Sequence, residues 1–238
     1  MKILKPPIPQ TNDTKLTWGS LIGSSLALAI AQLPKQPNKL IITPDIHSAH
    51  QLLQEFNFYQ PQSQAYLLPD WEILPYDHFS AHEDIISERL LALNQLSQNN
   101  GVMIAAISTL MHRLAPASHT LTQAFALHVN QHFEIGPFRQ RLTQTGYRLV
   151  DTVWHRGEFA VRGAIIDVYP MGCEHPLRIE LFDNNIASLR TFSIDTQTTI
   201  KKIDSINLLS ATEYPLTETG VNTFRATWRK TFPGNPKD

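Results

Sequence analysis

The sequence predicts an α/β protein in which a parallel sheet flanked by helices is followed by a smaller α+β domain built mostly from antiparallel strands. Three observations carry that prediction. Val102-Met103-Ile104-Ala105-Ala106-Ile107 is apolar without polar alternation, as expected of a strand buried on both faces of a parallel sheet. Ahead of it, helical and extended patterns follow one another in the order helix, strand, helix. From about residue 122 the chain becomes a series of alternating strands with Asp-Asn and Gly turns, continuing to about Leu209. At 238 residues the chain is near the upper size for one hydrophobic core, so two domains are expected.

Each element has a local reason. Residues 1–14 are rich in Pro and polar groups and read as a lead-in. Between Leu21 and Leu33, Leu26, Ile30 and Leu33 recur at helical spacing, and Pro34 to Asn38 ends the helix. Lys39 to Pro44 is a continuous apolar strand, and His47 to Phe56 is a helix with Ala49, Leu52, Leu53 and Phe56 inward. Ser80-Ala81-His82-Glu83 matches a capping box, in which the Ser and Glu side chains satisfy each other's backbone N–H groups. The helix it opens carries Ile86, Leu90, Leu93 and Leu96 and stops at Asn99-Asn100-Gly101, where a left-handed residue is tolerated. A short helix runs from around Gly136-Pro137-Phe138 to Thr145, and strands follow.

In Leu177-Arg178-Ile179-Glu180-Leu181-Phe182-Asp183 the period of two puts Leu177, Ile179 and Leu181 on one face and Arg178, Glu180 and Phe182 on the other. A Phe on a charged face suggests a surface that something else covers, either a loop of the same chain or a partner. Thr217 to Phe232 has Val221, Phe224 and Trp228 at helical spacing, and this amphipathic helix is expected to return to the first domain. The division is then 1–14 lead-in, 15–122 first domain, 123–209 small domain and 210–238 return segment.

Composition narrows the function. Hydrophobic residues make up 42% and charged residues 17%, and the net charge is -1, so no global field draws the chain to nucleic acid. One cysteine, Cys173, allows no internal disulfide and suits a reducing compartment. No apolar stretch is long enough to span a bilayer and the start lacks a signal-peptide core, so no membrane partner and a cytoplasmic location are expected.

Several chemistries can be drawn on this sequence and lack parts. Trp18-Gly19-Ser20-Leu21-Ile22-Gly23-Ser24-Ser25 precedes a helix where a phosphate loop would sit, but Ser24 occupies the place of the lysine that reaches the terminal phosphates. His78 and His82, with Asp77, Glu83 and Asp84 nearby, have metal-ligand spacing only if helical, and the capping box starts the helix between them. Cys173 near His175 has no diagnostic spacing for a nucleophile. Arg139, Arg141, Arg148, Arg156 and Arg162 could meet phosphate, yet nine basic residues face nine acidic ones over residues 134–204. A mixed surface or a protein partner fits that balance better than a DNA groove.

Three separated tracts carry a family resemblance: Leu68 to Asp77, Glu83-Asp84-Ile85-Ile86-Ser87-Glu88-Arg89-Leu90, and Gly157 to Pro170. In this order they resemble the amino-terminal UvrB-homology region of the bacterial transcription-repair coupling factor family, Mfd, over about residues 15–232. The resemblance implies a degenerate helicase-like α/β domain interrupted by a small domain like the UvrA-binding domain of UvrB. The missing lysine at Ser24 agrees with this family rather than with UvrB, and UvrB's tyrosine-rich hairpin sequence is absent. The resemblance also implies a fragment of a longer protein that binds stalled RNA polymerase, moves on DNA with ATP and Mg²⁺ in a motor domain outside these residues, and brings UvrA to begin nucleotide excision repair. The fragment itself would then be a recruiting module without catalysis or cofactor. The family's UvrA-contact positions fall on Arg162, Arg178 and Phe182, with the arginines meeting acidic groups, Phe182 as apolar anchor, and Glu180 and Asp183 as rim charges. The alternative reading is a UvrB-like DNA-repair ATPase or DNA-binding module.

Overall fold

The computed structural model describes residues 15–33, 39–62, 64–73, 78–98, 101–114, 124–215 and 217–231. The lead-in at 1–14, the helix end at Pro34 to Asn38, Asn99-Asn100, the boundary near 122, Leu74 to Asp77 and the chain beyond Thr231 lie outside the described residues. The fold is mixed α/β with parallel and antiparallel sheets, and its contacts divide it into two compact units. The first comprises the described residues of Met1–Leu74 and Ala92–Arg113, and the second those of Pro75–Leu91 and Leu114–Asp238.

In the first unit, α1 (Ser25–Ala31), β1 (Lys39–Thr43), α2 (Ile46–Tyr59), β2 (Ala65–Leu68), β3 (Val102–Ala106) and α4 (Ile107–Leu110) are joined by the second half of α3 (Glu83–Ser97). The parallel sheet has the order β1-β3-β2. Every residue of the central strand β3 is buried, which accounts for its unbroken apolar run. Val102 and Ile104 pack with Ala27, Ile30, Ala49, Leu52 and Phe56 of α1 and α2, while Met103 and Ala105 pack with Leu68, Ala92 and Leu93. At the edge, β1 leaves Leu40 and Ile42 exposed, so its apolar run is only half buried. Asp45 caps α2 by accepting the Ser48 N–H at 2.7 Å.

The start of α3 differs from the capping-box expectation. The helix begins at Glu83, and His82 Nδ1 accepts the Asp84 N–H at 3.2 Å, so His82 fills the capping role assigned to Ser80. An imidazole one residue before the first turn reaches the second N–H, which is the same service a serine oxygen provides.

The second unit contains the first half of α3, β4 (Phe125–His128), α5 (Ile135–Gln144), β5 (Arg148–Leu149), β6 (Glu158–Arg162), β7 (Ile165–Val168), β8 (Leu177–Phe182), β9 (Asn185–Phe192), β10 (Thr199–Ile203), β11 (Ser205–Leu208) and α6 (Glu218–Thr231). Six strands form one sheet in the order β10-β9-β8-β7-β6-β5, antiparallel except for β5 with β6, and β11 pairs with β4. One face of the large sheet buries Phe159, Ile166, Val168, Leu177, Ile179 and Leu189 against Phe138 and Leu142 of α5, Leu90 of α3 and Leu208 of β11. Tyr147 is buried there, donating to the Leu209 carbonyl at 2.8 Å. On α6, the Phe224 and Trp228 rings meet at a tilt of 45° with 5.3 Å between centroids, and both are exposed.

Candidate interaction surface

The face of the six-stranded sheet turned away from the core is set by two tight turns. Between β6 and β7 the loop is Gly163-Ala164, with Gly163 alone at positive φ (+60°), as a two-residue type II′ hairpin requires. This length fixes the register so that Arg162 faces Ile165 and Ala160 faces Asp167. Between β8 and β9, Asp183 and Asn184 both take positive φ (+46° and +60°), the type I′ pattern that Asp and Asn tolerate. Both turns lie at the same end of the sheet, and the Leu181 N–H donates to the Ala164 carbonyl at 2.9 Å.

Across the strands, one row of this outer face reads Ala160, Asp167, Arg178, Arg190, Lys202, and the next reads Arg162, Ile165, Glu180, Ser188. Phe182 follows Glu180 at the end of β8 and is 72% exposed. Part of the face is covered. Near Ala160 the loops supply Val150, Val153, Tyr169 and Ile194 as a small apolar cluster, whereas Ile165 and Phe182 at the turn end stand in the open.

The charges form a connected set. Arg178 grips Asp167 with both edges of its fork, Nε to Oδ1 at 2.6 Å and Nη2 to Oδ2 at 2.9 Å, and Nη2 also donates to Gln197 Oε1 at 3.0 Å. Its guanidinium carbon sits 4.4 Å from the centre of the Phe192 ring. Hydrogen bonding to Asp167 raises the Arg178 pKa above its ordinary value, so this group is charged at any physiological pH. Arg162 Nη2 donates to the same carboxylate. The Asp167 side chain is 2% exposed and that of Arg162 51%. Among the described residues, Arg162 Nε and Nη1 and Arg178 Nη1 have no protein acceptor. Beside them Glu180 accepts from Ser188 Oγ at 2.6 Å and pairs with Arg190.

The structure therefore brings Arg162 and Arg178 together on one carboxylate and places Phe182 on the same face, about 13 Å along the strand from Arg178. Glu180, expected as a rim charge, is tied to Arg190 and Ser188 instead. Sequence reasoning missed Asp167, Arg190 and Ile165. Counting back through the Gly163-Ala164 turn would have set Asp167 opposite Ala160, on the face of Arg162 and Arg178.

The other candidate residues are engaged elsewhere. The Ser24 hydroxyl lies 2.8 Å from the Tyr59 hydroxyl. Among the described residues no group of three or more His, Cys, Asp or Glu is arranged to hold a metal, and His82 serves as a helix cap. Burial raises the pKa of the half-buried Cys173 thiol, which opposes nucleophilic use. Arg141 stacks over the Phe125 ring at 3.9 Å, Arg148 pairs with Glu83 and Glu158, Arg156 pairs with Asp84, and Arg139 is exposed on α5. No helix among the described residues is long and apolar enough to cross a membrane.

Comparison with known proteins adds the lineage of this surface. A protein-family profile described as "UvrB interaction domain" matches residues 125–214, a span that includes every strand of the large sheet. The chain is 43% identical over 232 residues to the transcription-repair-coupling factor of Haemophilus influenzae, a match covering 96% of this chain and 20% of the relative. Against the Escherichia coli K12 factor it is 40% identical over 217 residues, 90% of this chain and 19% of the relative. The chain belongs to the transcription-repair-coupling factor family. The factor of Staphylococcus haemolyticus is 31% identical over 198 residues, 82% of this chain. The chain spans about a fifth of the length of these curated relatives.

Proposed function

We propose that the outer face of the second unit is a docking site for UvrA, through which a transcription-repair-coupling factor calls excision repair to a stalled RNA polymerase. One observation supports this most: within the span matching the UvrB interaction domain, two arginines share a carboxylate and an exposed Phe182 stands on the same face. Arg162 offers charge-assisted donors to acidic groups of the partner, and Phe182 fills an apolar pocket as anchor. In this reading the portion contributes binding and no catalysis, the first unit is a degenerate helicase-like domain, and the protein works in the cytoplasm. Polymerase, DNA, and ATP with Mg²⁺ are engaged by other parts of the longer protein.

The test is titration calorimetry of UvrA with the 238-residue chain, alongside the triple variant R162A/R178A/F182A checked for folding by circular dichroism. Binding by the parent chain and its loss in the folded triple variant is the expected result. Equal binding by both removes the site assignment, and absence of binding by the parent chain removes the function.

A further inference from the structure

Asp167 is the least expected residue on this face. A carboxylate 2% exposed on a sheet that meets an acidic partner subtracts charge where attraction needs it. Its geometry gives it another use. We propose that Asp167 is the positioning residue of the docking face, its carboxylate bridging Arg162 and Arg178 so that each guanidinium presents a fixed edge to an acidic surface of the partner.

This rests on the UvrA-docking reading and adds how the two arginines are made ready. Arg178 is held from three sides, by Asp167, Gln197 and the Phe192 ring. Arg162 is different. It ends β6 beside a turn, half its side chain is in water, and Asp167 is the group that holds it among the described residues. A long side chain otherwise free to rotate must be ordered when a partner binds, and ordering it beforehand lowers that cost. The bridge leaves Arg162 Nε and Nη1 and Arg178 Nη1 for the partner, a set suited to carboxylates approaching from the turn end.

Charge and positioning give D167N effects of opposite sign. If the face worked by charge alone, removing the Asp167 charge would tighten UvrA binding. Positioning predicts the reverse. In calorimetry with the 238-residue chain, D167N weakens UvrA binding by about tenfold. In an R162A/R178A background, D167N changes affinity by less than about twofold, because Asp167 acts through those side chains, whereas a carboxylate that met the partner directly would cost the same in either background; circular dichroism and urea unfolding of D167N show that the fold, which the same ion pairs join across β7 and β8, is kept while binding falls. D167E keeps the charge and moves the carboxylate outward by one methylene, so it also weakens binding and decides the matter where D167N does not fold. Tighter or unchanged binding in D167N, unchanged binding in D167E, or an undiminished loss in the R162A/R178A background each overturns the proposal. If R162A and F182A weaken binding while the Asp167 variants do not, the positioning role alone fails. If the parent chain does not bind UvrA, or R162A, R178A and F182A leave binding intact, the docking reading fails and takes the positioning role with it.

Discussion

Arg89 and Arg178 hold a carboxylate in the same way and stand in opposite surroundings. Arg89 Nε reaches Glu213 Oε1 at 2.6 Å and Nη2 reaches Oε2 at 3.4 Å, with side chains 0% and 5% exposed. Arg178 repeats the fork on Asp167, but its carboxylate is shared with Arg162, which opens to water. The first pair ties α3 to the segment after β11, across 124 residues of sequence, whereas the second joins neighbouring strands. Fork chemistry alone therefore does not tell a staple from a handle. What separates them is whether one member of the ion-paired set keeps donors at the surface.

The largest effect should come from breaking the sealed pair. R89A leaves Glu213 buried and unpaired, and urea unfolding should show a loss of about 3–5 kcal/mol in the second unit. Replacing both partners, R89M/E213L, should restore most of that stability, since a buried ion pair can often be exchanged for apolar packing. A cost for R89A below about 1 kcal/mol would show that water already reaches this site. The open set should give the mirror result. F182A removes an exposed ring, so it should lower UvrA affinity by about 30-fold, or about 2 kcal/mol, while shifting stability by no more than about 0.5 kcal/mol.

Tyr147 gives a smaller effect with a sign in pH. Its hydroxyl donates to the Leu209 carbonyl and accepts the Met171 N–H at 3.3 Å, and burial pushes its pKa well above the ordinary tyrosine value of 10.0. The folded state thus holds this proton more tightly than the unfolded chain. Its stabilising share is complete below pH 10 and is lost as pH rises from there toward the folded value. Y147F should cost about 1 kcal/mol at pH 7 and lose less stability than the parent between pH 10 and pH 11. Equal slopes in the two proteins above pH 10 would mean that the hydroxyl is not sealed from solvent.

How much of this could be read from the sequence follows the range of the interactions. Local patterns were legible: the unbroken apolar run of β3, the alternation in β8 that separates Arg178 and Phe182 from Leu177 and Ile179, and the helix containing Val221, Phe224 and Trp228. The strand Ala65–Leu68 carries no legible signal because four residues are too few to show a period. A capping box puts the start of α3 at Ser80 because sequence weighs capping residues by type, whereas His82 lies nearer the first turn. Arg162, Arg178 and Phe182 came from resemblance and alternation, but Asp167 needed strand register, a property of two segments and the turn joining them. The Arg89 to Glu213 pair was beyond reach, since nothing local marks either residue as the other's partner.

A third arginine tests whether exposure grades the whole series. Arg148 donates to Glu83 Oε1 at 3.0 Å and to Glu158 Oε1 at 3.3 Å, and its side chain is 60% exposed, more than that of Arg162. Glu83 is 36% exposed in the first turn of α3, where the helix dipole also favours a negative charge. Water competes for both groups, and two long side chains lose rotamer freedom in meeting. E83Q should therefore cost about 0.5 kcal/mol or less in urea unfolding, and the cost should shrink further in 0.5 M salt. A loss above about 1 kcal/mol that salt leaves intact would place this pair with Arg89 and Glu213, and exposure would no longer order the three sets.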